Sequence, residues 1–195
     1  MGSVNEGAAK GEGGAPARLF FAVVPDAAAR RALAALAREA QSATGGRAPR
    51  EENLHLTLAF LGNVAPRRIG ELEAIGAQAA AVAAPFLLKL ESVGAFREAG
   101  VAWAGTAAVP ESLQRVFDSL RSLLRAAGLP AERRPFHPHV TLARRCVRGP
   151  SAVTMAPVAW RVESIVLMAS ETLPGGPRYR ELASWPLAGP DGPLP

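Results

Sequence analysis

The first of two similar segments in the chain alternates apolar and polar residues with a period of two. Residues 53–62 read Asn-Leu-His-Leu-Thr-Leu-Ala-Phe-Leu-Gly, so every second residue from Leu54 to Phe60 is apolar. This pattern predicts a β-strand with one apolar face, and it puts His55 and Thr57 together on the other face. An imidazole and a hydroxyl one pleat apart can both contact one tetrahedral anion, such as a phosphate.

The second segment repeats this arrangement. Residues 136–144 read Phe-His-Pro-His-Val-Thr-Leu-Ala-Arg, which predicts a strand with His139 and Thr141 on one face. The chain has only three histidines, and the remaining one, His137, lies beside this second His-x-Thr pair. Two matched pairs in a chain with so little histidine favour one shared site. The alternative is that His55 and His139 are half-buried strand residues with ordinary hydrogen bonds.

The rest of the pattern predicts further strands and three helices. The apolar run at residues 18–25 ends at a proline, and Asp26 is a suitable N-cap for the helix that follows it. The predicted strands are 18–25, 86–93, 101–106, 160–170 and 179–185, with 86–93 and 101–106 paired as a hairpin and a turn at 174–177. The predicted helices are 27–41, 66–83 and a third that begins at Pro110 and ends before Gly128.

The two halves of the chain share the order strand, helix, His-x-Thr strand, and the two histidines are 139 − 55 = 84 residues apart. We therefore predict an α+β fold of two pseudo-twofold-related lobes. Each lobe is an antiparallel sheet with helices packed outside, and a central cleft carries both His-x-Thr strands. Residues 18–187 are expected to form this single bilobal domain, with a disordered tail at residues 1–17 and a loose C-terminal tail at residues 188–195.

Composition and charge narrow the class of protein. Cys146 is the only cysteine, which excludes an internal disulfide and a cysteine-based zinc site. No apolar run is long enough to span a bilayer, so we expect no membrane association and a cytoplasmic location. The net charge of +5 favours an anionic partner, although a solvated basic surface would give the same charge. Arginines concentrate around the second His-x-Thr pair, at positions 133, 134, 144, 145 and 148.

Two histidines on opposite sides of a phosphodiester can supply the proton transfers that its cleavage needs. One imidazole acts as base and the other as acid, because the unperturbed pKa of histidine lies near neutrality. The hydroxyls of Thr57 and Thr141 can hold the nonbridging oxygens. No metal or other cofactor is required for this chemistry, and we expect none.

Four stretches of the sequence carry a resemblance to a known family. They are Arg-Leu-Phe-Phe-Ala at 18–22, Leu-His-Leu-Thr-Leu-Ala-Phe-Leu-Gly at 54–62, Gly-Val-Ala-Trp-Ala-Gly at 100–105 and Arg-Pro-Phe-His-Pro-His-Val-Thr-Leu-Ala-Arg at 134–144. Together they resemble the two-histidine (2H) phosphoesterase superfamily, and within it the RNA 2′,3′-cyclic phosphodiesterases once described as 2′-5′ RNA ligases. The resemblance implies hydrolysis of a terminal 2′,3′-cyclic phosphate to a 2′-phosphate without a metal. It also implies that His55 donates a proton to the 3′ oxygen and that His139 is the base that activates water.

The remaining interpretations concern substrate contacts and partners. We expect RNA or an oligonucleotide with a 2′,3′-cyclic phosphate end as the substrate, contacted by Thr57, Thr141, His137, Arg134 and Arg144. For His137, the alternative to a substrate contact is a supporting or structural role. Phe60 and Trp103 are expected in the core, and the alternative is that they stack on bases of the substrate. We expect a monomer without an obligate protein partner. Reversible 2′-5′ ligation and noncatalytic RNA binding are the alternative functions.

Overall fold

The structure is a computed structural model that describes residues 17–151, 153–173 and 176–189 of the 195-residue chain. Most of the predicted N-terminal tail, residues 190–195 of the C-terminal tail and part of the turn predicted at 174–177 lie outside the described residues. Within the described ranges there are nine strands and three α-helices. The strands are β1 Ala17–Val23, β2 Leu56–Val64, β3 Phe86–Leu90, β4 Ser92–Phe96, β5 Val101–Gly105, β6 His139–Arg144, β7 Val158–Val162, β8 Ser164–Leu173 and β9 Gly176–Pro186. The helices are α1 Ala27–Thr44, α2 Ile69–Ala80 and α3 Glu111–Ala126, with 3₁₀ turns at Glu51–Asn53 and Pro66–Arg68.

The two His-x-Thr strands lie next to each other in the middle of a seven-stranded sheet. The strand order is β4-β5-β6-β2-β1-β8-β9, and β3 and β7 form a separate two-stranded sheet. All of these described pairings are antiparallel. The predicted α+β fold with antiparallel sheets and helices is therefore confirmed, and the junction between its two lobes falls between β2 and β6.

The helices cover the apolar faces of the sheets. Helix α1 begins at its predicted N-cap, where the Asp26 carboxylate accepts a hydrogen bond from the Ala29 amide at 2.8 Å. It ends at Gly45, whose φ of 69° is the left-handed conformation that glycine adopts without strain. Helix α1 packs on β6 and β7, whereas α3 packs on β2 and α2 packs on β8 and β9. Helices α1 and α3 thus each cover a strand from the other half of the chain, which ties the two lobes together.

Two of the predicted strands are divided in the structure. The segment predicted at 86–93 breaks at Glu91 into β3 and β4, and the segment predicted at 160–170 breaks at Glu163 into β7 and β8. The hairpin partner of β5 is therefore β4, while β3 pairs with β7 in the second sheet. Buried and exposed residues alternate up to each break. The apolar pattern therefore does not show where the chain passes from one sheet to the other.

Several element ends also differ from the prediction, and the largest differences concern α2 and β6. Helix α2 begins at Ile69, after a 3₁₀ turn at Pro66, and it ends at Ala80. The backbone carbonyls of Ala80 and Ala83 accept hydrogen bonds from the amides of Ala188 and Gly189, at 3.4 and 2.9 Å. The chain is thus held as far as residue 189, beyond the start of the predicted loose tail. Strand β6 begins only at His139.

Candidate active site

Strands β2 and β6 meet through the residues between each histidine and threonine. Leu56 pairs with Val140 in antiparallel register, and both side chains are fully buried on the helix side of the sheet. Because successive side chains point to opposite faces, His55 and His139 both lie on the cleft face. Both imidazoles are half-buried. The two histidines, far apart in sequence, are therefore neighbours on one surface.

The register also determines how the two motifs oppose each other. An antiparallel pair centred on residues 56 and 140 sets His55 across from Thr141 and Thr57 across from His139. Directly opposed side chains have Cβ atoms about 5 Å apart, and diagonal ones about 7–8 Å apart. The two imidazoles occupy one diagonal and the two hydroxyls the other. A tetrahedral anion placed at the centre of this square is within reach of all four side chains.

Each imidazole is oriented by a backbone carbonyl two residues earlier. The Nδ1–H of His55 donates to the carbonyl of Asn53 at 2.7 Å, and the Nδ1–H of His139 donates to the carbonyl of His137 at 2.7 Å. A carbonyl only accepts, so Nδ1 carries the proton in both rings and Nε2 is the nitrogen that exchanges protons with a ligand. The Nε2 atom of His55 lies 3.1 Å from the hydroxyl of Thr57.

Asn53 contributes to the site in a way that the sequence did not indicate. Its side chain is 5% exposed, and its amide group donates to the carbonyl of Pro177 at 2.7 Å. This bond ties the turn before β2 to strand β9. The carbonyl that orients His55 is thereby held by a buried side-chain contact.

Aromatic rings flank both imidazoles. The His55 ring lies 4.8 Å from Phe20 and 5.2 Å from Tyr179, measured between ring centroids. The His139 ring lies 5.0 Å from Phe96. These contacts exclude water from one side of each imidazole and restrict its rotation.

Trp103 was expected in the core, but it lies half-buried on the cleft face. Its indole covers Gly94 and Gly105, where an added Cβ would come within 2.2 and 2.8 Å of the ring. The indole contacts His137 at 4.6 Å and His139 at 6.4 Å between centroids. The absence of side chains on the two glycines is what lets a large ring lie flat against the sheet next to the second histidine.

A β-bulge follows the threonine in each motif and changes which residues face the cleft. Leu58 has no partner on β1, and Leu142 has none on β5. Each extra residue reverses the alternation, so Phe60 and Arg144, both five residues after their histidine, point into the cleft. Phe60 was predicted to be core, but it is 52% exposed, and the guanidinium of Arg18 lies 5.4 Å from its ring centre.

The environment lowers the pKa of both histidines. Burial is the main cause for His55, and the positive charge of Arg144 and the neighbouring His139 lower it further. Burial also lowers the pKa of His139, with smaller effects from His137 and Arg144. The hydrogen bond from each Nδ1–H to a carbonyl partly opposes these effects.

The histidine face opens into a cleft of about 800 Å³. The cleft is strongly basic: five arginines and no aspartate or glutamate are found among the described residues that line it. The lining residues are Arg18, Phe20, Arg47, Ala48, Pro49, Arg50, Asn53, His55, Thr57, Phe60, Thr141, Arg144, Arg145, Ser170, Gly176, Pro177 and Tyr179. An anionic ligand is the chemistry that such a surface favours.

Metal-binding clusters and membrane-spanning helices are both lacking in the part of the chain that the structure describes. No group of three or more His, Cys, Asp or Glu side chains there is arranged to hold a metal ion. None of the described helices has the length and apolar character needed to cross a membrane.

Comparison with known proteins decides the family. Residues 23–103 and 105–179 match the family described as LigT like phosphoesterase. The chain belongs to the LigT-like phosphoesterase family. The match includes both His-x-Thr strands and three of the aromatic residues around the histidines, Phe96, Trp103 and Tyr179.

Curated relatives of this LigT-like phosphoesterase are named RNA 2′,3′-cyclic phosphodiesterase. The Escherichia coli K12 protein is 34% identical over 88% of this chain and 97% of its own length. The Thermus thermophilus protein is 32% identical over 90% of this chain and 92% of its own length. The Geobacillus stearothermophilus protein is 34% identical over 89% of this chain, which spans 58% of that protein.

Solved structures show the same fold. Escherichia coli LigT complexed with 3′-AMP superimposes with a TM-score of 0.78 and 33% identity, covering 88% of this chain and 98% of that chain. Escherichia coli LigT complexed with phosphate gives a TM-score of 0.74 and 31% identity, covering 89% of this chain and 99% of that chain. A Thermus thermophilus structure gives a TM-score of 0.75 with 33% identity over 89% of this chain and 99% of that chain.

In this LigT-like phosphoesterase the residues predicted from sequence separate into two groups. His55, Thr57, Thr141 and Arg144 line the cleft, and His139 lies on the same face beside them. His137 is exposed and contacts the edge of the site through its carbonyl and through Trp103, without lining the cleft. Arg134 is also absent from the described lining: its side chain is 86% exposed and forms an ion pair with Glu132 at 3.2 Å.

Other lining residues of the LigT-like cleft carried no sequence signal strong enough to single them out. Arg18 and Phe20 belong to the interior strand β1 and Tyr179 to the edge strand β9, and alternation alone does not distinguish a cleft face from a solvated one there. Arg47 and Arg50 lie in the loop after α1 and reach the cleft through tertiary contacts. The charge of this loop was the only available indication.

Proposed function

We propose that this chain hydrolyses the terminal 2′,3′-cyclic phosphate of RNA to a 2′-phosphate. The observation that carries the proposal is the pair of imidazoles on adjacent strands, each donating its Nδ1–H to a carbonyl so that Nε2 is left for proton exchange, and each diagonal to the other across the Leu56 and Val140 pair. Membership of the LigT-like family and the names of the curated relatives support the same activity.

Hydrolysis requires one proton transfer on each side of the phosphorus. In the proposed reaction His139 takes a proton from water through Nε2 as the water oxygen bonds to phosphorus. The bond from phosphorus to the 3′ oxygen breaks, and protonated His55 gives its Nε2 proton to that oxygen. The product carries a 3′ hydroxyl and a 2′-phosphate, and the two histidines have exchanged protonation states.

Neutral and positive groups around the two histidines complement the charge of the transition state. The hydroxyls of Thr57 and Thr141 donate to the nonbridging oxygens. The guanidinium of Arg144 lies close enough to affect both imidazoles, so it also attracts a phosphate held between them. The four groups of the two motifs and this arginine make up the proposed catalytic and phosphate-binding machinery.

The first expected result is conversion of an RNA with a 2′,3′-cyclic phosphate end to the 2′-phosphate in the presence of EDTA. Two imidazoles supply both the acid and the base, so the chelator should leave the rate unchanged. Products are separated by chromatography against 2′- and 3′-phosphate standards, with ligation to a 5′-hydroxyl RNA measured in the same reaction. A 3′-phosphate product, loss of turnover with EDTA, or ligation as the main reaction would contradict the proposal.

The second expected result is a bell-shaped pH dependence of kcat/KM. Activity falls at low pH as His139 becomes protonated and at high pH as His55 loses its proton. Because both pKa values are lowered in the free enzyme, the maximum is expected on the acidic side of about 6.5. A bound phosphodiester anion raises the pKa of His55, so the alkaline limb of kcat should lie at higher pH than that of kcat/KM.

An Arg144→Gln variant provides the internal control for this pH dependence. The guanidinium lowers the pKa of both histidines, so its removal should move the kcat/KM maximum to higher pH. A wild-type profile of kcat/KM that is flat between about pH 5 and 9 would contradict an acid and base pair of histidines.

The cytoplasmic location and the monomeric state remain predictions from the sequence.

A further inference from the structure

One wall of the cleft carries positive charge that the hydrolysis of a cyclic phosphate does not use. It consists of Arg47 and Arg50, from the loop after α1, and Arg145, the first residue after β6, and we call these three residues the arginine wall. All three side chains are exposed. A cyclic mononucleotide has a single phosphate, and in the proposed reaction that phosphate is held by the two His-x-Thr pairs and Arg144.

The backbone of this wall is held in place by close contacts between two loops. Arg47 and Arg144 exchange two backbone hydrogen bonds, of 2.8 and 3.0 Å. Gly46 allows this approach, because a Cβ at that position would lie 2.8 Å from the carbonyl oxygen of Arg144. The amides of Val147 and Arg148 both donate to the carbonyl of residue 44, at 3.0 and 3.1 Å.

Arg145 has an unusual backbone conformation within this arrangement. Its φ of 58° is in the left-handed region, and it is the one non-glycine residue with positive φ in the described ranges. Such a conformation costs about 1–2 kcal/mol for most residues. The strain places a guanidinium on the cleft lining directly after Arg144, where a continued strand would turn it to the opposite face.

The arginine wall is not neutralised from within the described structure. Arg47 and Arg145 form no ion pair with any described residue, and Arg50 has one contact of 3.9 Å with Glu52, in which both side chains are more than half exposed. An exposed pair at this distance neutralises little charge. The wall therefore attracts a second anion, separate from the one between the histidines.

We propose that the arginine wall binds internucleotide phosphates on the 5′ side of the cyclic end and makes the enzyme selective for oligonucleotides over cyclic mononucleotides. This inference rests on the proposed function. A terminal nucleotide with its cyclic phosphate between the histidines is linked to the preceding nucleotides through its 5′ oxygen, so those nucleotides provide the additional phosphates. Exposed arginines contact such phosphates without reading the bases.

The test compares kcat/KM for a 2′,3′-cyclic mononucleotide and for di- and tetranucleotides with the same cyclic end. The kcat/KM of the wild type should increase with the length of the substrate. In an Arg47→Gln, Arg145→Asn double variant, KM for the tetranucleotide should rise about tenfold, while the values for the mononucleotide stay within about twofold. Asparagine is chosen at position 145 because it tolerates the left-handed backbone. The salt dependence of tetranucleotide binding should also decrease, by a slope of about 1.4 for two lost phosphate contacts.

The matched control removes the same number of charges elsewhere. Arg31 and Arg38 are exposed on α1, outside the cleft lining, and an Arg31→Gln, Arg38→Gln variant should behave as wild type at every length. Arg134→Gln tests whether the RNA instead passes the exposed arginine before the second motif. A loss of kcat/KM that grows with substrate length in that variant, with no such loss in the wall variant, would overturn the inference. An equal loss of kcat/KM at all substrate lengths in the wall variant would also overturn it.

Failure of the inference is distinguishable from failure of the proposed function. If the wild type turns over none of the substrates, the proposed function fails. Binding of a tetranucleotide that ends in a 2′-phosphate, measured by fluorescence anisotropy, still tests the arginine wall: equal affinity of wild type and wall variant would overturn it. Thermal unfolding of every variant is recorded, so that a folding defect is not mistaken for a loss of phosphate contacts.

Discussion

His55→Ala and His139→Ala are each expected to lower kcat by about 10²- to 10⁴-fold. Each change removes one of the two proton transfers, and water is a poor replacement at neutral pH. KM and the affinity for product RNA should change little, because Arg144, the remaining motif residues and the arginine wall still contact the phosphates. The melting temperature should stay close to that of the wild type, since both imidazoles lie on the cleft face and the buried pair Leu56 and Val140 is untouched.

A substrate with sulfur in place of the 3′ bridging oxygen separates the two roles. A thiolate leaves without a proton, so this substrate makes the acid dispensable while the base remains necessary. His55→Ala should recover most of its turnover with the sulfur substrate, and His139→Ala should not. Recovery in His139→Ala instead would reverse the assignment of acid and base, and equal losses of both variants on both substrates would contradict separate roles.

Thr57→Val and Thr141→Val are expected to have the next largest effects. Valine keeps the shape of threonine and its preference for a strand, but it removes the hydroxyl that donates to a nonbridging oxygen. A hydrogen bond to a charged group contributes about 1.5–3 kcal/mol, so each change should lower kcat/KM by about 10- to 100-fold. Thr57→Val should also disturb His55, whose Nε2 lies 3.1 Å from the missing hydroxyl.

Serine at the same positions is the matched control. Thr57→Ser and Thr141→Ser keep the hydroxyl and should retain activity within a few-fold of the wild type. Comparison of kcat/KM for the serine and valine variants isolates the contribution of the hydroxyl from that of the β-branched shape. Serine variants as impaired as the valine variants would show that Thr57 and Thr141 act through packing instead of through phosphate binding.

The essential parts of the site were predictable because they depend on local alternation. His55 and Thr57 share a face for the same reason as His139 and Thr141, and a strand reverses side-chain direction at every residue. The likeness of the two motifs then predicted that the two faces meet. This holds in the sheet order, where β2 and β6 are adjacent, and in the register, where Leu56 pairs with Val140.

Residues beyond each threonine were not predictable from alternation. The bulges at Leu58 and Leu142 reverse the pattern and turn Phe60 and Arg144 toward the cleft. A bulge depends on the pairing with the neighbouring strand. A leucine in a bulge cannot be told from a leucine in a regular strand by the sequence alone. The prediction that Phe60 is a core residue was wrong for this reason.

Contacts between loops that are distant in the chain could not be predicted from the sequence either. Arg47 reaches the cleft because its backbone pairs with that of Arg144, and Gly46 is the local feature that permits the approach. Arg134 lies nearer to the second motif in sequence, yet it pairs with Glu132 away from the cleft. Proximity along the chain was therefore a poor guide to which arginines surround the site.

A crystal structure with inorganic phosphate bound in the cleft tests most directly whether the two histidines act on one phosphorus centre. The expected result is a single phosphate between β2 and β6, with Nε2 of His55 and Nε2 of His139 each about 3 Å from oxygens of that same ion. Phosphate that contacts only one of these imidazoles, or two separate phosphates with one histidine each, would contradict a shared acid and base mechanism.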